Sequence, residues 1–341
     1  MAHLRCASNS MTLPSSKPRL LIIELWGLGD LVIATPFLRA ALQKYDVTLI
    51  AKPHAKELSS KLWPGVKIIP FMAPWTAFRG KYGIHRWPWR EMFRVGRKIR
   101  ETGFDVGLSA RWDPRDHFLL AFGGIKERLG FPRVGSQIFL TKALDRPGAA
   151  AHRYENWRAM GRAIGIELPP REKIISPGRN GGNAGEILVH TGAGQPIRVW
   201  PLASYRTLVA RLRQNQRRVR VVCDPEQRDW WLQSGESNVA TPRTVAELFG
   251  LLDHASALIG NDSGPGHLAA FMGVPTFTIF GPQLPEWFAP LHPAAKWMDG
   301  KACPYKPCSD YCRFEKPVCL TGLTEAEVWP RIESFVKQAG A

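Results

Sequence analysis

Six consecutive residues bring together groups suited to binding a diphosphate. They are Asp262, Ser263, Gly264, Pro265, Gly266 and His267. The serine supplies a hydroxyl donor, the aspartate an acceptor, and the histidine an imidazole in the first turn of a predicted helix. The glycines let the backbone turn tightly, and the unpaired N–H groups that open a helix attract anions. The segment therefore predicts a phosphate-binding turn, although most glycine turns between strands and helices bind nothing.

The elements around this turn are typical of a nucleotide-binding unit. Residues 257–259 are predicted to end a buried strand, residues 267–272 to form a helix, and residues 276–280 to form the next strand. A diphosphate bound at the carboxyl ends of parallel strands is the natural occupant of such an arrangement.

The same residues carry a resemblance to a known family. The string D-S-G-P-G-H, the alanine-rich helix after it, and the strings G-V-P-T and F-G-P resemble the signature of glycosyltransferase family 9. These are the ADP-heptose:lipopolysaccharide heptosyltransferases and their relatives. The resemblance covers nearly the whole chain from Arg19. It implies an α/β protein of the GT-B architecture, in which two Rossmann-like domains face each other across a cleft.

Asp30 lies in a second motif, G-D-L-V-I-A-T-P at residues 29–36, where the resemblance implies the general base. Residues 19–25 are predicted to form a buried strand, and residues 31–43 a helix that Pro36 is able to break. A sugar hydroxyl becomes a good nucleophile when a carboxylate within hydrogen-bond reach takes its proton. The alternative is an aspartate that only caps the helix.

The donor site is expected in the second half of the chain. Residues 187–190 predict a strand, and the turn and the R-V-W-P string after it resemble further family motifs. The resemblance places Thr191, Gly192 and Ala193 where hydroxyl and backbone donors meet the donor phosphates. It places Arg198 where a cation meets the diphosphate.

Two further residues have open assignments in this half. Glu226 follows the strand predicted at 219–223, where a carboxylate often holds ribose hydroxyls, and a helix cap is the alternative. Trp287 either lines the cleft or packs in the seam between the domains.

Composition limits the partners. The chain has 341 residues, enough for two domains, and 46 Lys and Arg against 29 Asp and Glu give a net charge of +17. Such an excess indicates an acidic partner: a phosphorylated glycolipid, an anionic membrane surface or a nucleic acid. No stretch contains the roughly 20 apolar residues of a spanning helix. We therefore expect a cytoplasmic protein that basic residues are able to hold at the inner face of the cytoplasmic membrane.

The segment 74–100 alternates aromatic and basic residues. One interpretation is a membrane-facing segment that binds the acceptor, with Arg86, Arg90 and Arg94 on its phosphates. A second is single-stranded nucleic-acid binding, with bases stacked on the rings. A third is a solvated basic helix whose aromatic residues face the core.

A charged loop after the strand predicted at 104–110 holds two further cations. Loops at that end of a strand face the cleft in open α/β sheets. Arg111 and Arg115 are therefore candidates for binding acceptor phosphates, and the alternative is that they pair with Asp113 and Asp116.

The C-terminal cysteines are a candidate metal site. Cys303, Cys308, Cys312 and Cys319 lie close together in the sequence, without the C-x2-C spacing typical of zinc. Disulfides are not expected in the cytosol, whereas four thiolates are able to hold a structural zinc or iron. No cofactor is expected for catalysis, because the sequence lacks a D-x-D-type carboxylate pair for a catalytic Mg²⁺.

Four regions make up the predicted domain organisation. Residues 1–18 form a leader without regular structure, residues 19–180 an acceptor-binding domain, and residues 181–322 a nucleotide-sugar-binding domain. Residues 323–341 form a helix that packs back on the first domain. The glycine-rich stretch 171–186 is the predicted linker.

The predicted function is inverting, metal-independent glycosyl transfer from a nucleotide sugar to an anionic glycolipid. The resemblance implies ADP-heptose as donor and the lipopolysaccharide inner core as acceptor. Alternatives are a member of the same family that acts on a protein or another glycan, a catalytically silent sugar-nucleotide-binding module, and a nucleic-acid-binding protein. The last would leave both phosphate loops unexplained, so no nucleic-acid partner is expected.

Overall fold

The structure, a computed structural model, describes residues 17–77, 83–174, 185–309 and 311–341. Nearly all of the predicted leader and most of the predicted linker lie outside these ranges. The described chain forms two parallel six-stranded sheets flanked by helices, which confirms the prediction of two Rossmann-like domains.

The first sheet has the strand order β3-β2-β1-β4-β5-β6, and every pairing in it is parallel. Its strands are β1 Arg19–Ile23, β2 Asp46–Ala51, β3 Lys67–Pro70, β4 Val106–Ser109, β5 Glu127–Gly130 and β6 Lys142–Ala143. The helices of this half are α1 Leu28–Ile33, α2 Thr35–Lys44, α3 Ala55–Leu62, α4 Trp89–Thr102, α5 Pro114–Phe122 and α6 Arg153–Ala163.

The second sheet has the order β12-β11-β10-β7-β8-β9 and is also parallel. Its strands are β7 Glu186–His190, β8 Val219–Val222, β9 Val239–Ala240, β10 Ala255–Asn261, β11 Thr276–Phe280 and β12 Ala295–Asp299. The helices are α7 Leu202–Gln214, α8 Arg228–Gln233, α9 Val245–Asp253, α10 Gly264–Phe271, α11 Pro285–Phe288, α12 Val318–Thr321 and α13 Glu325–Ala339.

In each sheet the chain begins at a central strand, adds strands towards one edge, and then returns to add strands towards the other edge. In the first sheet β1 lies between β2 and β4, and in the second β7 lies between β8 and β10. In open α/β sheets, ligands bind outside the carboxyl ends of the strands at such a switch point. The loops after β1, β4, β7 and β10 are therefore the ones that the fold places to form a site.

The helix predicted at residues 31–43 is two helices. Helix α1 ends at Ile33, Ala34 joins it to α2, and Pro36 occupies the first turn of α2. A proline in that turn loses no hydrogen bond, because the first N–H groups of a helix have no partner within it. The break leaves α1 as a short helix that carries Asp30 near its start.

The prediction that the C-terminal helix packs back on the first domain is wrong. The apolar residues of α13 pack in the second domain, with Phe335 against Phe277 at 5.6 Å between ring centroids. Trp329 lies under the Arg211 guanidinium of α7 at 4.5 Å, and Arg211 also pairs with Glu325 at 3.3 Å. The amphipathic pattern predicts the helix correctly but does not determine which sheet covers its apolar face.

Within the described ranges, no helix combines the length and the apolar character needed to span a bilayer.

Candidate active site

A cavity of about 400 Å³ lies between the two domains, lined by residues from both. From the first domain it receives the loop after β1, the start of α1, and the segment between β6 and α6. From the second it receives the loop after β7, the start of α10, and the loop carrying Trp287. The cavity is therefore lined by loops at the switch points of both sheets.

Asp30 lines this cavity, and its carboxylate is held on two sides. The Gly27 N–H donates to Oδ2 at 3.2 Å, which closes the start of α1. Nε of Arg153 lies 3.8 Å from Oδ1. The side chain keeps 20% of its surface exposed, so the carboxylate is open to a substrate as well as capping its own helix.

Helices α1 and α10 pack directly against each other across the domain boundary. A Cβ added to Gly29 would lie 2.6 Å from Cδ2 of His267, and a Cβ added to Gly264 would lie 2.7 Å from Cβ of Leu28. Only glycine allows approaches this close. The contact places the start of the helix that carries Asp30 beside the start of the helix predicted to bind phosphate.

The second-domain wall contains a cation and a carboxylate in contact. Arg198 Nη1 lies 3.3 Å from Oδ2 of Asp262, and the Arg198 Nε–H donates to Gln195 Oε1 at 3.2 Å. Burial raises the pKa of Asp262, and the neighbouring Arg198 and His267 oppose that rise. Burial also lowers the pKa of His267, which favours its neutral imidazole.

The predicted phosphate turn is only partly in the cavity. Asp262, Ser263, Gly264 and His267 line it, whereas Pro265 and Gly266 do not. Proline has no N–H, and the Gly266 N–H donates to the Ser263 carbonyl at 3.2 Å. The N–H groups of Ser263 and Gly264 are therefore the backbone candidates for an anion.

Thr191, Gly192 and Ala193, predicted to meet the donor phosphates, are held by other groups of the second domain. The Thr191 hydroxyl is fully buried and hydrogen-bonds with Gln227 Oε1 at 2.9 Å and Trp231 Nε1 at 3.2 Å. The Ala193 N–H donates to Asp224 Oδ2 at 3.0 Å. None of the three lines the cavity; the next two residues, Gly194 and Gln195, do.

Glu226 is exposed in a single 3-10 turn after β8 and does not line the cavity. The preceding carboxylate, Asp224, accepts the Ala193 N–H. The carboxylates after β8 therefore hold the loop after β7 or face solvent.

Asn261, which sequence reasoning missed, joins the loops of the second domain. Its Oδ1 accepts from the Trp200 N–H at 2.9 Å and the Tyr205 hydroxyl at 2.8 Å. Its Nδ2 donates to the carbonyls of Thr191 at 3.0 Å and Gly192 at 3.2 Å. This amide thereby fixes the loop after β7 against the end of β10.

A group of cations and indoles forms the first-domain wall. Arg153 is 8% exposed, with its guanidinium 3.4 Å from the ring centroid of Trp26 and 4.3 Å from that of Trp112. Arg146 lies 3.9 Å from the Trp112 ring. Lys52 also lines the cavity, and among the described residues no carboxylate is within ion-pair distance of Lys52 or Arg146. Sequence reasoning assigned no role to these residues.

A second carboxylate lies buried behind Trp26. Glu24 is 2% exposed and accepts the Trp26 N–H at 3.0 Å. Burial raises its pKa to about 7, the charge of Asp30 adds to that rise, and Arg111 and Arg153 oppose it.

The acceptor arginines predicted from sequence lie elsewhere. Arg111 is buried and pairs with Asp116 at 3.1 Å and Asp113 at 3.3 Å, and Arg115 pairs with Asp113 at 2.7 Å. Neither lines the cavity, so the alternative of pairing within the loop describes them. Arg86, Arg90 and Arg94 are exposed in and just before α4, also outside the cavity.

Trp287 fits both of its predicted positions. It lines the cavity, and its Nε1–H donates to the Ala149 carbonyl of the first domain at 2.8 Å. A second hydrogen bond between the domains joins His152 Nε2 to the Ala289 carbonyl at 2.9 Å.

The four C-terminal cysteines are free thiols and do not converge as metal ligands. Cys308 Sγ donates to the Tyr305 carbonyl at 3.3 Å, and Cys319 is buried in the second-domain core. In the part of the chain that the structure describes, no three His, Cys, Asp or Glu side chains are arranged to hold a metal ion.

Comparisons with known proteins identify relatives of this chain. The chain is 25% identical over 364 residues to lipopolysaccharide heptosyltransferase 1 of Pseudomonas aeruginosa, covering 93% of this chain and 98% of that protein. It resembles E. coli heptosyltransferase WaaC solved with ADP at a TM-score of 0.71 and 18% identity, over 93% of this chain and 99% of that one.

A third relative is the iron-containing dodecameric glycosyltransferase TibC of enterotoxigenic E. coli. Its TM-score is 0.61 at 16% identity, over 94% of this chain and 79% of that one. These structural similarities support the GT-B fold. The model of glycosyltransferase family 9 (heptosyltransferase) matches residues 92–318, and the chain belongs to that family.

Proposed function

We propose that the protein transfers heptose from ADP-heptose to an anionic glycolipid such as the lipopolysaccharide inner core, with inversion of the anomeric centre. The observation that carries this proposal is that Asp30 and the Arg198–Asp262 pair line one cavity from opposite domains. The relatives support the choice of donor, since one is named a lipopolysaccharide heptosyltransferase and another was solved with ADP. A protein or another glycan as acceptor is the alternative within the family.

The proposed reaction is a single in-line displacement. Asp30 takes the proton of the acceptor hydroxyl as its oxygen attacks the anomeric carbon, and the bond from that carbon to the diphosphate breaks. The negative charge that develops on the departing ADP is stabilised by Arg198, the Ser263 hydroxyl and the N–H groups of Ser263 and Gly264. A neutral His267 beside Asp262 contributes a polar group without adding positive charge.

We propose that transfer needs no metal ion, because these donors already serve the leaving group. The relative TibC is iron-containing. In this chain, an ion on Cys303, Cys308, Cys312 and Cys319 would need the thiols to move together, and it would act on stability rather than on transfer.

The proposed acceptor carries negative charge near the hydroxyl that is attacked. Arg153 lies 3.8 Å from Asp30 and leaves its buried Nε without a hydrogen-bond partner among the described residues. Arg146 and Lys52 add two cations to the same wall. Three cations beside the Asp30 carboxylate leave this wall with net positive charge, so an anionic ligand would stabilise it. Such an acceptor places the enzyme at the inner face of the cytoplasmic membrane, where a glycolipid is anchored.

The purified protein, ADP-heptose and a lipopolysaccharide inner-core acceptor test the proposal directly. We expect stoichiometric ADP release and acceptor heptosylation, in the presence of a chelator, with the new linkage inverted relative to the donor. ADP binding without transfer to any acceptor would instead identify a silent sugar-nucleotide-binding module. Transfer to a neutral glycan or a protein in preference to the anionic acceptor would refute the acceptor assignment alone.

A further inference from the structure

A series of aromatic contacts runs from Trp75, next to a residue that lines the cavity, to the surface of the first domain. Thr76 lines the cavity, and Trp75 beside it contacts Trp87 at 5.6 Å between ring centroids. Trp87 contacts Trp89 at 5.6 Å, which contacts Phe93 at 6.5 Å. The rings begin buried at Trp75 and become exposed at Trp89.

The series continues through elements that the sequence does not connect with α4. Phe93 contacts Phe122 at 6.3 Å, Phe122 stacks on Phe118 at 5.9 Å, and Phe118 contacts Phe139 at 5.5 Å. Gly96 allows α4 to pack closely against Phe122 of α5, because a Cβ at this position would lie 2.5 Å from Cε1 of the Phe122 ring.

The outer part of this series is exposed. Phe93 is 60% exposed, Phe118 49%, and Ile138, next to Phe139, 76%. We name the set Trp89, Phe93, Phe118, Phe122 and Ile138 the apolar face. Scattered exposed apolar residues need no explanation, but a contiguous group of this kind marks an interaction surface.

Cations lie along the α4 side of the apolar face. Helix α4 contains five of them, against two carboxylates: Arg90, Arg94, Arg97, Lys98 and Arg100. Arg100 donates to the Phe122 carbonyl at 2.9 Å and lies 5.7 Å from its ring. Arg94 and Arg97 are 73% and 79% exposed even though each also pairs with a glutamate. The surface therefore combines an apolar face with a positively charged helix along one side of it.

We propose that the apolar face is the surface by which the protein docks on an anionic lipid bilayer. Aromatic rings at headgroup depth and cations on lipid phosphates are the two contributions that hold an interfacial helix. A nucleic acid would need ring faces open to bases, whereas these rings contact one another. The proposal rests on the proposed function for its purpose, since the same aromatic series would carry a lipid-linked acceptor towards the cavity.

Vesicle co-sedimentation of the full chain tests the docking surface without any transfer reaction. The probes are vesicles of phosphatidylcholine with phosphatidylglycerol, and vesicles of phosphatidylcholine alone. We expect binding to the anionic vesicles that weakens with salt. The variant F93S/F118S/I138S should bind them about tenfold more weakly or worse, because it loses the apolar insertion. Its matched control, L232S/W297S/Y311S, removes exposed apolar residues from the second domain and should bind like the wild type.

A charge variant tests the second contribution. R94Q/R97Q/K98Q should lose about 100-fold in affinity for anionic vesicles, because each cation near such a surface contributes about fivefold. The control R206Q/R228Q/R331Q removes three exposed cations elsewhere and should have a much smaller effect. ADP affinity should be unchanged in all four variants, which also reports that each is folded.

The proposal would be overturned if the wild type did not bind anionic vesicles at low salt. It would also be overturned if the surface variants and their controls lost the same amount of vesicle affinity. A third contrary result is a surface variant that loses oligonucleotide binding but keeps vesicle binding. Heptosyl transfer to a delipidated acceptor is measured separately. A protein that binds vesicles but transfers nothing would refute the proposed function and leave the docking surface intact.

Discussion

Gly29 packs directly against the imidazole of His267. A methyl group added at Gly29 would lie 2.6 Å from Cδ2 of the ring. Gly29 immediately precedes the proposed base, and His267 is the last residue of the proposed phosphate turn. The two halves of the site are therefore positioned by a direct contact between helices α1 and α10, which belong to different domains.

The first prediction concerns this contact. Gly29→Ala should lower the free energy of unfolding by about 1–3 kcal/mol through overpacking and should reduce turnover, because the ring cannot move without displacing α10. The control Gly250→Ala, at an open position of α9, should be neutral or stabilising by up to about 1 kcal/mol. Thermal unfolding and turnover measured on both variants check this, and an active, fully stable Gly29→Ala would contradict it.

Asp30→Asn should reduce turnover by about 10²–10⁴-fold and leave ADP affinity nearly unchanged, since it removes the proton acceptor but keeps the shape of the side chain. The exposed Asp229→Asn in α8 is the matched control and should keep full activity. Turnover is measured with the true acceptor and ADP affinity by calorimetry. Near-normal turnover of Asp30→Asn would leave this aspartate only its role at the start of α1.

Arg198→Gln should weaken ADP binding by about 10–100-fold, because a charge-assisted contact contributes about 1.5–3 kcal/mol. His267→Ala should weaken it less, since the imidazole is neutral. Arg198→Gln also leaves Asp262 buried without its partner, so the double variant Arg198→Gln/Asp262→Asn separates the two effects. Calorimetry with ADP checks all three, with Arg206→Gln as control, and an unchanged affinity in Arg198→Gln would exclude this residue from the donor site.

Arg146→Gln should raise the KM for the acceptor while the affinity for ADP stays the same, because Arg146 lies on the first-domain wall. The wild type should prefer an acceptor whose acidic group is free over the same acceptor with that group esterified. The variant should lose part of this preference, and testing a carboxylate acceptor and a phosphate acceptor separately identifies the group recognised. An identical preference in both proteins would show that this arginine does not contact the acceptor.

Glu24 gives the protein a predicted pH dependence. Its ordinary pKa is 4.5 and its folded pKa about 7, so between these values the unfolded chain releases a proton that the folded protein keeps. The free energy of unfolding therefore falls as the pH rises through this window. Glu24→Gln cannot ionise, and relative to the wild type it should gain about 3 kcal/mol between pH 4 and pH 8.

Denaturant unfolding of wild type and Glu24→Gln at several pH values checks this prediction. Glu327→Gln is the control, because Lys301 and Thr324 hold the folded pKa of Glu327 at about 2 and its ordinary pKa is 4.5. Its offset from the wild type should therefore be constant above about pH 6, where this carboxyl is ionised in both states. Parallel curves for wild type and Glu24→Gln would show that the pKa of Glu24 is not raised in the folded protein.

Sequence reasoning predicted the strands from local patterns, and the family resemblance supplied the two-domain architecture and the cleft between the domains. Buried strands followed by glycine turns are visible in the sequence, and the fold brings their carboxyl ends together. Asp30, Arg198 and Ser263 accordingly line one cavity. Their roles in the reaction stay predictions.

The residues that sequence reasoning missed depend on packing between distant segments. Arg153 faces the cavity because Trp26 and Trp112 stack on its guanidinium, and no local motif marks that arrangement. Thr191 has the composition of a phosphate ligand, but Trp231 and Gln227, far along the chain, take its hydroxyl. An amphipathic pattern likewise identifies α13 as a helix without naming its partner sheet.

The close packing of α1 on α10 also limits how the two domains can move. Sliding would drive Leu28 into Gly264 or Gly29 into His267, whereas rotation about the contact would leave both in place. The hydrogen bonds from Trp287 to Ala149 and from His152 to Ala289 join the domains elsewhere and would have to break in such a rotation. We expect product release to be a rotation about this contact, beside Asp30, which would also break the hydrogen bond from the Ala246 N–H of α9 to Glu57 Oε2 of α3 at 3.0 Å. The spacing between the proposed base and the proposed phosphate turn would then be retained from one turnover to the next.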